Sequence, residues 1–304
     1  MTSNQTQQEQ LFDPQFLDRL RALFFRLRKR RKLRRKGIQA TPTTGFTREF
    51  KDFRHYTPRD DYRAIDWRVY ARLDRLFIRL YEEVQEFHLH IVIDTSGSML
   101  EPHPEKRRAS LKLAVALSYL GLVSQHRVTL YTMGEGVVDA LPPLKGQGNI
   151  QKIIDHVTDL EYGGVTDLES CFRELRPSRQ RFGVIFVLSD FFGTEIGSAS
   201  AALRHASSWP GEAHLIHLFS PLERDPEFDG EVEVVDVETR EMRRLWFTVR
   251  DRERYREEFE RFRGELERGC LRRQVDYLEW VTDRDFEEMF LALLSRGSVL
   301  AGGA

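Results

Sequence analysis

The segment His90-Ile91-Val92-Ile93-Asp94-Thr95-Ser96-Gly97-Ser98-Met99 constrains this chain more than any other. An apolar run of strand character stops on a carboxylate, and a loop of small residues follows before a helical pattern begins. In an open α/β sheet, ligands collect at the carboxyl ends of the strands. Such a loop would therefore present Asp94, Ser96 and Ser98 at a binding position. Gly97 lets the backbone turn tightly enough for the two serines to face the same way. Carboxylate and hydroxyl oxygens are hard donors of the kind Mg2+ prefers at ~2.0–2.1 Å.

Beyond this point helical and strand patterns alternate. A long apolar helix is expected over 105–124, then a strand at Arg127–Met133 and helical segments near 148–160 and 167–176. A strand at Gly183–Leu188, a helix near 197–208 and a strand at Ala213–Phe219 follow. Glu231–Val237 and Met242–Val249 read as a hairpin, ahead of a helix at 251–268, a strand at Gln274–Val281 and a helix at 284–295. This alternation predicts an α/β fold, a mostly parallel sheet flanked by helices. Two later loops then fall at the strand ends that carry Asp94. Gly163-Gly164-Val165-Thr166-Asp167 brings a hydroxyl, and Val187-Leu188-Ser189-Asp190 brings a second carboxylate.

The order and spacing of Asp94, Ser96, Ser98, Thr166 and Asp190 resemble the metal-ion-dependent adhesion site of the von Willebrand factor A family. The resemblance implies a von Willebrand A-like (Rossmann-like) fold with Mg2+ or Mn2+ on those five residues. Upstream, the block Glu49 to Arg72 and the following Arg79-Leu80-Tyr81-Glu82-Glu83 resemble the bacterial domain of unknown function 58 family, as does the C-terminal hairpin–helix–strand–helix. That likeness covers roughly residues 45–296. Arg59 departs from it, standing where the family usually has Gly before the Asp pair, and the loop from Gly37 to Gly45 lacks the family's His and Ser. The family is associated with MoxR-type AAA+ ATPases, so the resemblance implies an adaptor or co-chaperone partnered with such an ATPase. A partner's acidic residue would complete the metal's coordination.

Within that block Arg54, Arg63, Arg68 and Arg72 alternate with Asp60, Asp61 and Asp66. Guanidinium–carboxylate pairs can be bidentate and specific. The favoured expectation is a structural network that docks the segment on the domain edge with Ile65 and Trp67 as buried anchors; a partner-binding surface is the alternative.

The net charge of −1 hides a local excess. Nine of the eleven residues from Arg26 to Lys36 are basic: Arg26, Arg28, Lys29, Arg30, Arg31, Lys32, Arg34, Arg35 and Lys36. With Phe12, Phe16, Leu20 and Phe24 upstream, this run could form an amphipathic helix on an anionic membrane or contact nucleic acid, the latter disfavoured. A solvated basic helix against the protein's own acidic body is equally open. The resulting division is a polar tail and basic helix (1–36), a charged segment packing on the main domain (37–86), the von Willebrand A-like domain with its hairpin insertion (87–296) and a flexible tail (297–304). Residues 11–36 are expected to be dispensable for folding.

No apolar run approaches the ~20 residues needed to span a bilayer, and the basic run follows the first apolar residues, the wrong order for a secretory signal. A cytoplasmic location follows as the expectation, with peripheral contact at the inner membrane face open. Cys171 and Cys270 are expected to be free thiols. His88 and His90 share a strand face, but no third zinc ligand is evident. A binding role is expected over catalysis. The rival, a phosphatase-like hydrolase with Asp94 as nucleophile, commonly needs a carboxylate two residues on, where Ser96 stands.

Overall fold

A computed structural model describes residues 12, 15–23, 47–58, 60–84, 87–175, 183–192, 203–204, 206–209, 211–228, 230–235 and 242–296. The basic block Arg26–Lys36 and the tail 297–304 lie outside the described residues, as does most of the helix expected near 197–208. Strand β1 (Thr47–His55) pairs antiparallel with β2 (Phe77–Val84), and the short helix α1 (Trp67–Leu73) lies between them in sequence. Then follow β3 (His88–Asp94), α2 (Pro104–Val123), β4 (Arg127–Met133), β5 (Val137–Lys145), α3 (Ile150–Thr158), α4 (Leu168–Glu174) and β6 (Gly183–Ser189). The chain ends with β7 (Gly211–Phe219), α5 (Pro221–Arg224), the hairpin β8 (Gly230–Val235) and β9 (Met242–Phe247), α6 (Val249–Leu271), β10 (Asp276–Val281) and α7 (Phe286–Arg296).

Six strands form one sheet in the order β10-β7-β6-β3-β4-β5. All neighbours run parallel except the edge strand β5, which is antiparallel to β4. Successive side chains of a strand point to opposite faces, and β3 divides accordingly. Leu89, Ile91 and Ile93 join one core with α2, α3 and α7, while Val92 joins the other with α4 and α6. From Ser110 onward helix α2 is apolar nearly all round because it is buried nearly all round. The fold is thus the mostly parallel α/β sheet expected.

Strand β5 is a feature the sequence reading overlooked. Pro142 and Pro143 argue against a strand, but proline is tolerated at an edge or a bulge, and the β4–β5 register shifts between Val128 and Leu130, opposite these prolines.

The N-terminal expectation needs correction. Phe12, Phe16, Leu20 and Leu23 are buried in the main core, and Phe16 meets Phe286 edge to face at 5.5 Å. The helical spacing over 16–23 buries one stripe on the domain, so this part is no separable appendage. Leu20→Ala is expected to cost about 2–3 kcal/mol. Urea denaturation would read this as a lower midpoint at an unchanged slope; an unaltered midpoint would restore the dispensable tail.

Candidate functional site

After β3 the chain moves outward to β4, and after β6 it moves outward the other way to β7. The crevice between the carboxyl ends of β3 and β6 is therefore the switch point where open α/β sheets bind ligands. Asp94 ends β3, Ser189 ends β6, and Asp190 follows it directly.

Three loops converge there. Asp94 Oδ1 accepts from the Ser96 backbone N–H at 2.9 Å and from the Thr166 hydroxyl at 2.6 Å. Its Oδ2 accepts a short hydrogen bond from the Ser189 hydroxyl. The Ser96 and Ser98 hydroxyls lie 3.1 Å apart. The loops also bond through their backbones: Gly97 N–H donates to the Gly164 carbonyl, and Gly163 N–H to the Thr95 carbonyl. Gly164 has φ 71°, a left-handed conformation that a side chain would strain, and it delivers Thr166 to Asp94. Asp94, Ser96, Thr166 and Asp190 are buried, whereas Ser98 is half-buried, so the cluster opens to solvent on the Ser98 side.

Sequence reasoning missed Lys106. This lysine, in the first turn of α2, is fully buried and donates from Nζ to Asp190 Oδ2 at 2.7 Å and to Glu223 Oε1. Its signal was its spacing: Lys106, Ser110, Leu113 and Leu117 lie along the buried side of α2. Glu223 is fixed in turn by the capping box of α5, where its Oε2 accepts from the Ser220 N–H at 2.7 Å. Asp190 Oδ1 accepts from the Phe192 N–H at 3.1 Å.

Burial, reinforced by the Asp190 charge, pushes the Asp94 carboxyl up to about 6, although hydrogen bonds from Ser189, Thr166 and Ser96 oppose the shift. For Lys106, burial pulls the ammonium's pKa down, but Asp190 and Glu223 outweigh it and hold the group above its ordinary value. Burial raises the Glu223 carboxyl against the opposing pull of Lys106. His217, beside this cluster, is driven down to about 3 by burial and is neutral; its Nδ1 lies 2.7 Å from the Tyr277 hydroxyl. When all three carboxylates are ionised, one ammonium leaves two negative charges for a divalent ion to balance. Among the described residues no group of three His, Cys, Asp or Glu could hold a metal. The donor set here is of another kind, two carboxylates with three hydroxyls, and it suits Mg2+ or Mn2+ by hardness.

A family model described as "Protein of unknown function DUF58" matches residues 52–265. The chain belongs to this family. Among curated relatives, uncharacterized proteins of Mycobacterium tuberculosis (strain ATCC 25618 / H37Rv) and Mycobacterium bovis (strain ATCC BAA-935 / AF2122/97) are each 27% identical over 145 residues. The match covers 46% of this chain and 46% of each relative, so the aligned region is about half the length of the relatives it matches. Among solved structures, the conserved hypothetical protein BatB from Bacteroides thetaiotaomicron is similar with a TM-score of 0.40 and 12% identity, covering 69% of this chain and 98% of that one. The vWF domain of the type V pili tip protein Mfa5 from Porphyromonas gingivalis has a TM-score of 0.36 and 10% identity, covering 73% and 97%.

The DUF58 motif block is arranged differently from the expected network. Arg54 pairs with Asp60 at 2.6 Å, and this bond, with those from Thr57, lowers the Asp60 carboxyl to about 2. Asp61 instead caps a turn through the Arg63 N–H, and Asp66 caps α1 through the N–H groups of Arg68 and Val69. Among the described residues, Arg63, Arg68 and Arg72 form no salt bridge, and all three are exposed. Ile65 is buried and bridges Ile78, as expected of an anchor. Trp67 is not: it is 60% exposed and meets Tyr70 edge to face. Position 67 opens α1 with its side chain exposed, so the buried anchoring falls to Ile65 and Asp66.

The rings of His88 and His90 stack 4.0 Å apart, and their nitrogens face the Thr129 and Tyr131 hydroxyls. Cys171 and Cys270 are free and buried.

Proposed function

We propose that this chain is a divalent-cation-dependent protein-binding module that works as an adaptor or co-chaperone of a MoxR-type AAA+ ATPase. The observation that carries the reading is the convergence of Asp94, Ser96, Thr166 and Asp190 at the sheet's switch point, with Ser98 on the solvent side. Asp94, Ser96, Ser98, Thr166 and Asp190 would hold the ion. A bound Mg2+ would offer a remaining coordination position to a partner's carboxylate. The ATPase enters through family resemblance in the Glu49–Arg72 block.

Binding is favoured over hydrolysis because Ser96 stands two residues after Asp94, where an aspartyl nucleophile commonly has its acid–base carboxylate. Among the described residues no helix is long and apolar enough to cross a membrane; a cytoplasmic site of action, with the basic block at an anionic surface, belongs to the same proposal.

A pull-down of the host's MoxR-type ATPase tests the reading. Recovery should require Mg2+, fail in EDTA and fail with Ser96→Ala/Ser98→Ala, while the isolated protein shows no phosphatase turnover. Equal recovery with and without EDTA would overturn the metal bridge.

A further inference from the structure

We infer that α1 and the strands flanking it form a second docking surface, for an acidic protein segment that carries large apolar side chains. This surface is separate from the metal site and shares no residue with it.

The motif block leaves several large apolar side chains outside. Trp67, Tyr62 and Leu73 are each at least 60% exposed, and Tyr70 is partly so. Scattered exposed apolar residues are ordinary, but a cluster of Trp, Tyr and Leu on one short helix and its entry turn is the composition of an interface hot spot. Beside it, Phe53, Val69, Leu73 and Phe77 line a cavity of about 330 Å3, with Arg72 as its charged member. The cavity is sized for a side chain, and its one cation stands where a neighbouring carboxylate would sit.

Charge points the same way. Around α1, Asp60 is paired with Arg54 and Thr57, while Asp61 and Asp66 accept from helix-capping N–H groups. The guanidiniums of Arg63, Arg68 and Arg72 are exposed, and Arg63 lies over the Tyr62 ring at 5.8 Å. Beyond the helix end, Asp74 and Arg75 add one charge of each sign. The surface is therefore aromatic and cationic, complementary to an apolar segment bearing Asp or Glu.

A single-stranded nucleic acid would also meet arginines and aromatics, but it needs ring faces on which successive bases stack. Trp67 and Tyr70 stand at 88° to one another, with centroids 6.1 Å apart, and offer no parallel gap. The cavity wall is aliphatic and phenylalanine, suited to a side chain inserted end-on.

The test uses the full-length chain, with EDTA present throughout so that the metal site cannot contribute. Phage-displayed 12-residue peptides are selected on the immobilised protein. Enriched sequences should combine Asp or Glu with Leu, Phe or Trp. Synthetic copies, followed by fluorescence anisotropy, should bind at least about tenfold more weakly to Trp67→Ala and to Arg72→Glu, and more weakly as salt rises. Both variants should melt within about two degrees of the wild type, because neither side chain is buried. Absence of acidic–apolar enrichment, or peptides that bind both variants equally well, would overturn the surface. Oligothymidine or phosphatidylserine vesicles binding with this same residue dependence, and more tightly than the peptides, would reassign it to nucleic acid or to a membrane.

Discussion

Lys106→Met is expected to destabilise the protein by about 3–5 kcal/mol, since it strands two buried carboxylates without a counter-charge. Asp190 and Glu223 would then face each other across an apolar side chain, with Asp94 close by. The loss belongs to the stranded charges and not to the ion pair as such. Lys106→Met/Glu223→Gln should therefore recover a large part of it, because Asp190 keeps the Phe192 N–H and only one carboxylate is left unpaired. Urea unfolding of the wild type, both single variants and the double variant would give the coupling between the two positions. A Lys106→Met variant as stable as the wild type would show that the buried ammonium is not what holds these loops together.

The second large effect concerns Asp94 and is expected to appear as a pH dependence. Its folded-state pKa of about 6 lies above the ordinary 3.8. Well below pH 3.8 the group is protonated in both folded and unfolded chains and costs nothing. As pH rises from 4 to 6 the unfolded chain ionises first, so stability falls. Above pH 6 the penalty is complete, on the order of 3 kcal/mol. In EDTA, Asp94→Asn should lack this component and be the more stable protein at pH 8, provided the amide finds partners among the Ser189 and Thr166 hydroxyls. In Mg2+ the order should reverse. Saturating the wild type at a thousandfold over Kd returns about 4.1 kcal/mol, more than the penalty, and the variant should gain nothing. Melts of both proteins at pH 4.5 and 8, with EDTA or Mg2+, are sufficient. A variant that still rises in Tm with Mg2+ would remove Asp94 from the metal site.

How far the sequence could be read depended on whether a residue's role was set locally. Strand Arg127–Met133 was legible to the residue, because a run rich in β-branched and apolar residues, bounded by Gln125-His126 and Gly134, leaves little freedom. The positions of Asp94, Ser96 and Ser98 at a strand end were legible for the same reason. That Thr166 would donate to Asp94 could be expected only from order and likeness, because the contact spans 72 residues. Lys106 was hidden by its own type, since lysine in a first helical turn reads as solvated until its alignment with Ser110 and Leu113 is noticed. Trp67 failed for the opposite reason. Its size suggested a core position, yet the neighbouring Ile65 and Asp66 are the buried residues, and one step along the chain turned the indole outward. Strand β5 was obscured by two prolines whose bulge disguises its pairing.

Those prolines have a consequence for how the molecule behaves among its own copies. The outer edge of a sheet offers unpaired N–H and C=O groups to any passing strand, and a long flat edge invites chains to polymerise. Pro142 and Pro143 each lack an N–H, and the bulge beside them breaks the straight line that a foreign strand would need to follow. Through this one short irregularity, the six-stranded sheet can end in water at β5 without becoming a template for aggregation.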